Sequence, residues 1–184
     1  SGLATLASGA LAALLSSQAC AAETAEPWVA KAVSVQGTVE ARRVGETQWQ
    51  PVMLNDTFRP GDTIRVQERS RADVALLNQS VLRLNANSTI TVEAPKEGKT
   101  GVIDMVRGAA HFFARGPNSL EVKTPFTVAG VRGTEFLINL ESDATLLTVF
   151  EGTVVAENAT GSLTMTDGQS AIAEAGKAPV TRVV

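Results

Sequence analysis

The chain has 184 residues, a formal charge of −3, one cysteine, one histidine and no tyrosine. That balance lacks the basic excess that nucleic acid binding demands. A lone histidine and a lone cysteine also leave too few ligands for a zinc centre and give no support to a serine–histidine–aspartate triad.

In chain order, Gly2 to Leu15 is an uncharged run of Leu, Ala, Gly, Ser and Thr, followed by Ala19-Cys20-Ala21-Ala22. An apolar h-region before an Ala-x-Ala site predicts a secretory signal peptide over residues 1–22, without its basic n-region, cut after Ala21 or Ala22. The apolar run falls short of the ~20 residues of a membrane span. Cys20 offers a lipid anchor as the alternative, but Ser17 stands where such sites carry Leu. Cleavage would remove the only cysteine and leave about 160 residues, enough for one sizeable domain without disulfides. Residues 23–27 read as a linker, and the all-β domain is expected over 28–184.

From Trp28 onward Val, Ile, Thr and Phe recur in short runs separated by Gly, Asn, Asp and Pro, the pattern of strands and turns. Strands are predicted at Ala32–Arg42, Thr63–Gln67, Ala72–Leu77, Val81–Leu84, Thr89–Val92, Gly101–Val106, Ala109–Phe113 and Leu120–Val122. They continue at Thr127–Gly130, Glu135–Leu140, Thr145–Phe150, Thr153–Glu157, Ser162–Thr166 and Ser170–Ala173. So many short strands cannot form one flat sheet, and the fold class is all-β: a short β-solenoid or twisted β-sandwich with Gly-marked kinks. An apolar residue, a charged or amide residue, Gly, then Thr or Ala recurs at Val35–Thr38, Val106–Ala109, Val131–Thr134 and Phe150–Thr153. The pattern fits either coils of similar size or a common bulge-then-strand dipeptide.

The most informative stretch is Lys123 to Phe136. Phe126 and Val128 share a face by period two, as do Phe136, Ile138 and Leu140. Val131 has the wrong parity for the second face unless the chain kinks, and Gly130 or Gly133 is where a bend could form. Upstream, Pro60-Gly61-Asp62-Thr63-Ile64 reads as a tight turn feeding a strand. Asn78-Gln79-Ser80 reads as a hairpin loop, longer than a two-residue primed turn because Gln takes positive φ poorly.

Thr124-Pro125, a short apolar stretch and Val131-Arg132-Gly133-Thr134-Glu135-Phe136 resemble the hallmark of the iron-dicitrate regulator family known as FecR. The Gly61-Asp62-x-Ile64 turn and the Leu-rich strand Val81-Leu82-Arg83-Leu84 are similar to that family too, so the likeness covers about residues 60–155. Asn78-Gln79-Ser80 departs from its Asp-Gly-Ser hairpin. The resemblance implies a periplasmic domain of envelope signalling, which in the best-known members passes a signal from an outer-membrane transporter to a cytoplasmic sigma factor. A signal peptide in place of the cytoplasmic segment and internal membrane helix puts sigma-factor control in doubt. The ending at Pro179 to Val184 suggests further domains in a longer parent.

His111, within Ala109-Ala110-His111-Phe112-Phe113, reads as a partly buried polar group and not a metal ligand. No phosphate loop or dinucleotide fingerprint is present, so neither a cofactor nor catalysis is expected. Arg132 and Glu135 offer a partner contact, or structurally a pairing with each other or with neighbouring strands. Arg65, Arg69, Arg71 and Arg83 read as a solvated face. The function expected is a non-catalytic, exported binding or scaffolding module with a protein partner in the cell envelope. The alternative is a module for a small ligand or cell-wall glycan.

Overall fold

The computed structural model describes Gly2 and residues 27–99, 101–114 and 119–183. Apart from Gly2, the expected signal peptide, with Cys20 and the cleavage pair Ala21 and Ala22, lies outside the described residues. Among these the chain is all-β. Its strands are β1 (Ala30–Gln36), β2 (Val39–Arg42), β3 (Gln50–Pro51), β4 (Thr57–Phe58), β5 (Thr63–Val66), β6 (Arg71–Leu76), β7 (Val81–Leu84) and β8 (Ser88–Glu93). After them come β9 (Gly101–Phe113), β10 (Ser119–Lys123), β11 (Val128–Leu140), β12 (Ala144–Asn158), β13 (Gly161–Met165), β14 (Ser170–Glu174) and β15 (Val180–Arg182).

Pairing divides this network into two ladders that share three long strands. The first runs β4-β1-β6-β7, then the later half of β9, the later half of β11, the first half of β12, and β14-β15. The second runs β3-β2-β5-β8, then the first half of β9, β10, the first half of β11, the later half of β12, and β13. Among the described residues only β9 and β10 pair in parallel, and the other pairs are antiparallel. Inward residues of both ladders meet in one apolar cluster. At its centre the fully buried rings of Phe112 and Phe136 stack with centroids 4.8 Å apart, an arrangement worth about 1 kcal/mol beyond the area buried.

Where one strand runs on from one ladder into the other it bends at a glycine; the connections β3–β4, β5–β6 and β7–β8 also change ladder, with Asn55, Arg69 and Asn87 at positive φ instead. Gly37 separates β1 from β2, while Gly108, Gly133 and Gly152 lie inside β9, β11 and β12, all four at positive φ (75°, 88°, 57° and 96°). These are the glycines of the repeated tetrapeptide. What the sequence suggested as separate strands on either side of Gly108, Gly133 and Gly152 are therefore single strands that bend, because glycine adopts the left-handed backbone without losing the ladder. Conversely, Ala32–Arg42 is broken at Gly37. At three corners the next residue's N–H donates to a hydroxyl across the corner: Thr38 to Ser70 Oγ (2.8 Å), Ala109 to Ser88 Oγ (3.0 Å) and Thr153 to Thr134 Oγ1 (3.3 Å). The close approach leaves no room for a side chain: a Cβ at Gly108 would stand 2.4 Å from Ser88 Oγ and 2.5 Å from its Cα.

Two turns correct or explain the sequence reading. Gln79 does take positive φ (68°) in the loop between β6 and β7. Its N–H donates to the Leu76 carbonyl, and the Ser80 N–H to Asn78 Oδ1, so local bonds offset the backbone cost. Asp62, wholly buried, holds the Pro60–Ile64 turn. Its carboxylate accepts the N–H groups of Val44 (2.8 Å) and Arg59 (2.9 Å) and the Arg43 guanidinium (3.1 Å). A buried charge survives only with such partners.

Candidate functional site

The hallmark divides by depth. Thr124 and Pro125 build the turn between β10 and β11: Thr124 Oγ1 accepts the N–H groups of Phe126 (3.2 Å) and Thr127 (3.1 Å) and lies 2.7 Å from Thr145 Oγ1. Pro125 follows Thr124, where a fixed φ suits the turn. Val131 and Phe136 both face the core, at 4% and 0% exposure. The register shifts between Arg132, Glu135 and Phe136 place the kink that restores parity between them. Thr134 is buried, exchanging two 2.9 Å backbone bonds with Ala114. Its hydroxyl lies 3.0 Å from the carbonyls of both Arg132 and Thr153.

Arg132 and Glu135, by contrast, point outward, and they do not pair with each other. Arg132 is exposed and makes no ion pair among the described residues. Glu135 reaches across to β9, with Oε1 2.9 Å from His111 Nε2, though without the alignment of a hydrogen bond. That contact becomes an ion pair only when the imidazole is protonated. His111 itself is partly buried, as the sequence suggested, because its ring stacks on Phe113 (4.2 Å) and tilts against Phe150 (5.2 Å).

These residues form a stripe on the outer face of the first ladder. The register sets Arg83, His111, Leu137 and Thr148 in one row across β7, β9, β11 and β12, with Val81, Phe113, Glu135 and Glu151 in the next. Phe150 is 48% exposed beside them. Arg83 is held by Asp73 (3.2 and 3.3 Å) while its guanidinium lies 5.7 Å from the centre of the Phe113 ring. It is paired yet exposed, so it lies on a solvated face as the sequence suggested. Phe113 and Phe150 were read as strand residues only; each alternates with a buried neighbour, Phe112 and Val149, and so turns outward.

The outer face of the second ladder carries several cross-strand ion pairs beside a groove walled by Val128 and Val155. Arg65 pairs with Glu40 (2.7 Å) and covers the Trp49 ring at 3.9 Å, so it too is engaged. The Arg65 hydrogen bond holds the Glu40 carboxyl below its ordinary range. Lys123 pairs with Glu93 (2.7 Å) and Lys96 with Glu121 (3.4 Å). Burial pushes the Asp104 carboxyl up, Glu93 adding to the shift and Lys123 opposing it. Further along, an open groove of about 620 Å³ lies over Gly130, with Val128 and Val155 as walls and Lys99 and Glu157 at its rim. Among the described residues no three His, Cys, Asp or Glu side chains gather to hold a metal.

The comparisons with known proteins agree with this architecture. No curated protein matches the chain. Two crystal structures of a proposed anti-sigma factor from Parabacteroides distasonis ATCC 8503 are similar, with TM-scores of 0.56 and 0.54 and 18% identity in each case. The match covers 65% of this chain and 58% of those, so the chain spans little more than half their length. At that identity the likeness speaks for the fold alone. The family model described as FecR protein matches residues 62–155, from the buried Asp62 through the hallmark to β12. That is just over half of the sequence, and the chain belongs to the FecR protein family.

Proposed function

We propose that the chain is a non-catalytic FecR-domain module, exported with removal of residues 1–22, that docks a protein partner in cell-envelope signalling. The observation that carries this reading is the outward stripe of Phe113, His111, Leu137 and Phe150. Apolar side chains on the solvent side of a sheet whose core is already filled mark an interaction surface. The hallmark supports it by division of labour: Val131, Thr134 and Phe136 hold the corner, leaving Glu135 at the edge of that stripe. The anti-sigma description of the two solved relatives is consistent with a regulatory role, and whether this chain acts on a sigma factor is part of the proposal.

A photo-crosslinking residue at Leu137, with Thr164 on the outer face of β13 as control, tests the docking reading in living cells. A single adduct from position 137 and none from 164 is expected. Equal adducts from both positions, or none from 137, would remove the docking reading. A second reading, a small-ligand or glycan module, rests on the groove over Gly130. Filling it with Gly130→Leu should leave the Leu137 adduct intact; loss of a soluble ligand's binding instead would favour the groove.

A further inference from the structure

We propose that the stripe receives an arginine-bearing, otherwise apolar segment of a partner protein, with the guanidinium seated between Phe150 and the carboxylates of Glu135 and Glu151. This deepens the docking reading and rests on it.

Glu135 and Glu151 are Cα partners across β11 and β12 at the register shift where Phe150 is the extra residue, which brings Phe150 and Glu151 together opposite Glu135. Like charges in that position repel, and a sheet holds them there at a cost. Their surroundings supply little to offset it. Among the described residues Glu151 makes no ion pair, and Glu135 has only His111 Nε2, misaligned and charged only on protonation. The nearby cation Arg83 is already committed to Asp73. Arg132, exposed on the far side of the kink, makes no ion pair either. Among the described residues, therefore, no ion pair engages Glu151, and Glu135 faces only the His111 imidazole.

The aromatic side of the site says what sort of cation fits. The tilted Phe150 ring at 48% exposure presents its surface to solvent next to Glu151, and the Phe113–His111 stack continues the apolar floor toward Leu137. A guanidinium is planar and weakly hydrated. It can lie on an aromatic face while its fork of N–H donors addresses two carboxylates, whereas an ammonium can do only one of these well. Apolar neighbours on the same segment would cover Leu137 and Phe113.

The test uses two short synthetic peptides, one alternating valine with arginine and the other alternating valine with glutamate, titrated against the intact chain by calorimetry. Binding of the arginine peptide alone, weakening with added salt, is expected. Glu135→Gln with Glu151→Gln should weaken it at least about tenfold, and Phe150→Ser by a similar factor. Glu141→Gln with Asp143→Asn, on the exposed turn between β11 and β12, removes the same charge elsewhere and should change it less than about twofold. Circular dichroism confirms that each variant is folded.

No binding of the arginine peptide, equal binding of both peptides, or an equal loss in the turn variant would overturn the proposal. So would a concentration-dependent dimer dispersed by Glu135→Gln with Glu151→Gln, which would assign the face to a second copy of the chain. If the Leu137 adduct persists in cells carrying both glutamine substitutions, the arginine proposal fails while the docking reading stands. If the adduct never forms, the docking reading itself fails.

Discussion

The two outer faces of this molecule cover one core with opposite chemistry. On the second ladder, Glu40 with Arg65, Glu93 with Lys123 and Glu121 with Lys96 pair across strands, so that face meets its own electrostatic needs. On the first ladder, Phe113, His111 and Phe150 are stacked and half-open, and of two opposed glutamates Glu151 makes no ion pair among the described residues while Glu135 faces only His111. Both faces use the same three long strands, so the difference is not one of fold. It lies in which residues the glycine corners turn outward. A family hallmark centred on such a corner is mainly a device for assigning faces.

The sharpest way to break the contrast is to break a corner. Gly108→Val places a β-branched residue at φ 88° with its Cβ overlapping Ser88. A loss of at least about 4 kcal/mol, or failure to fold, is expected in urea melts. A loss below about 1 kcal/mol would mean that the ladders do not depend on this bend. Gly133→Val is expected to cost roughly 2–4 kcal/mol, from its positive φ and from misdirection of Val131 or Phe136. Arg132→Ala, on the exposed side of the same corner, should cost no more than about 1 kcal/mol. If Arg132→Ala proves the more damaging, Arg132 is a paired structural charge and the inward–outward division of the hallmark is wrong.

That division shows what was legible in the sequence. Strand positions were, because alternation of Val, Ile and Thr with polar residues records which side is buried: β7 falls at Val81–Leu84 as predicted, and β5 and β6 within a residue at each end. Continuity through the corners was not. A glycine between two alternating runs looks like a break, and only the pairing of both halves reveals a bend. The two-residue strands β3 and β4 are too short to show a period. Ser70, Ser88 and Thr134 gave no signal of their role, since each meets its glycine corner through register and not through local sequence. The kink at Gly133 was legible, because the parity conflict between Val131 and Phe136 can be counted.

A milder probe compares the stability of the faces directly. Phe150→Ser removes a half-exposed ring from the first ladder and should change stability by less than about 1 kcal/mol, since that ring lies outside the core cluster. A larger loss in a thermal melt would mark Phe150 as part of the packing and weaken its assignment as a docking residue.

The smallest effect concerns Asp104, a partly buried carboxylate on the self-paired face that makes no ion pair of its own among the described residues. Burial and Glu93 raise its carboxyl above the ordinary value, against the pull of Lys123. A carboxyl with a raised folded pKa favours the folded state while protonated. Its contribution is complete below the unfolded value near 3.8 and is lost as pH rises through the folded value. At neutral pH the charged form is therefore a burden, and Asp104→Asn should stabilise the chain by less than about 1 kcal/mol, the group being only partly buried. The gain should shrink as the medium is acidified, because the wild-type carboxyl then becomes neutral too. Paired urea melts at neutral pH and near the unfolded pKa measure this. If Asp104→Asn destabilises at neutral pH, Lys123 outweighs burial and Asp104 belongs to the Glu93–Lys123 network as a stabilising member.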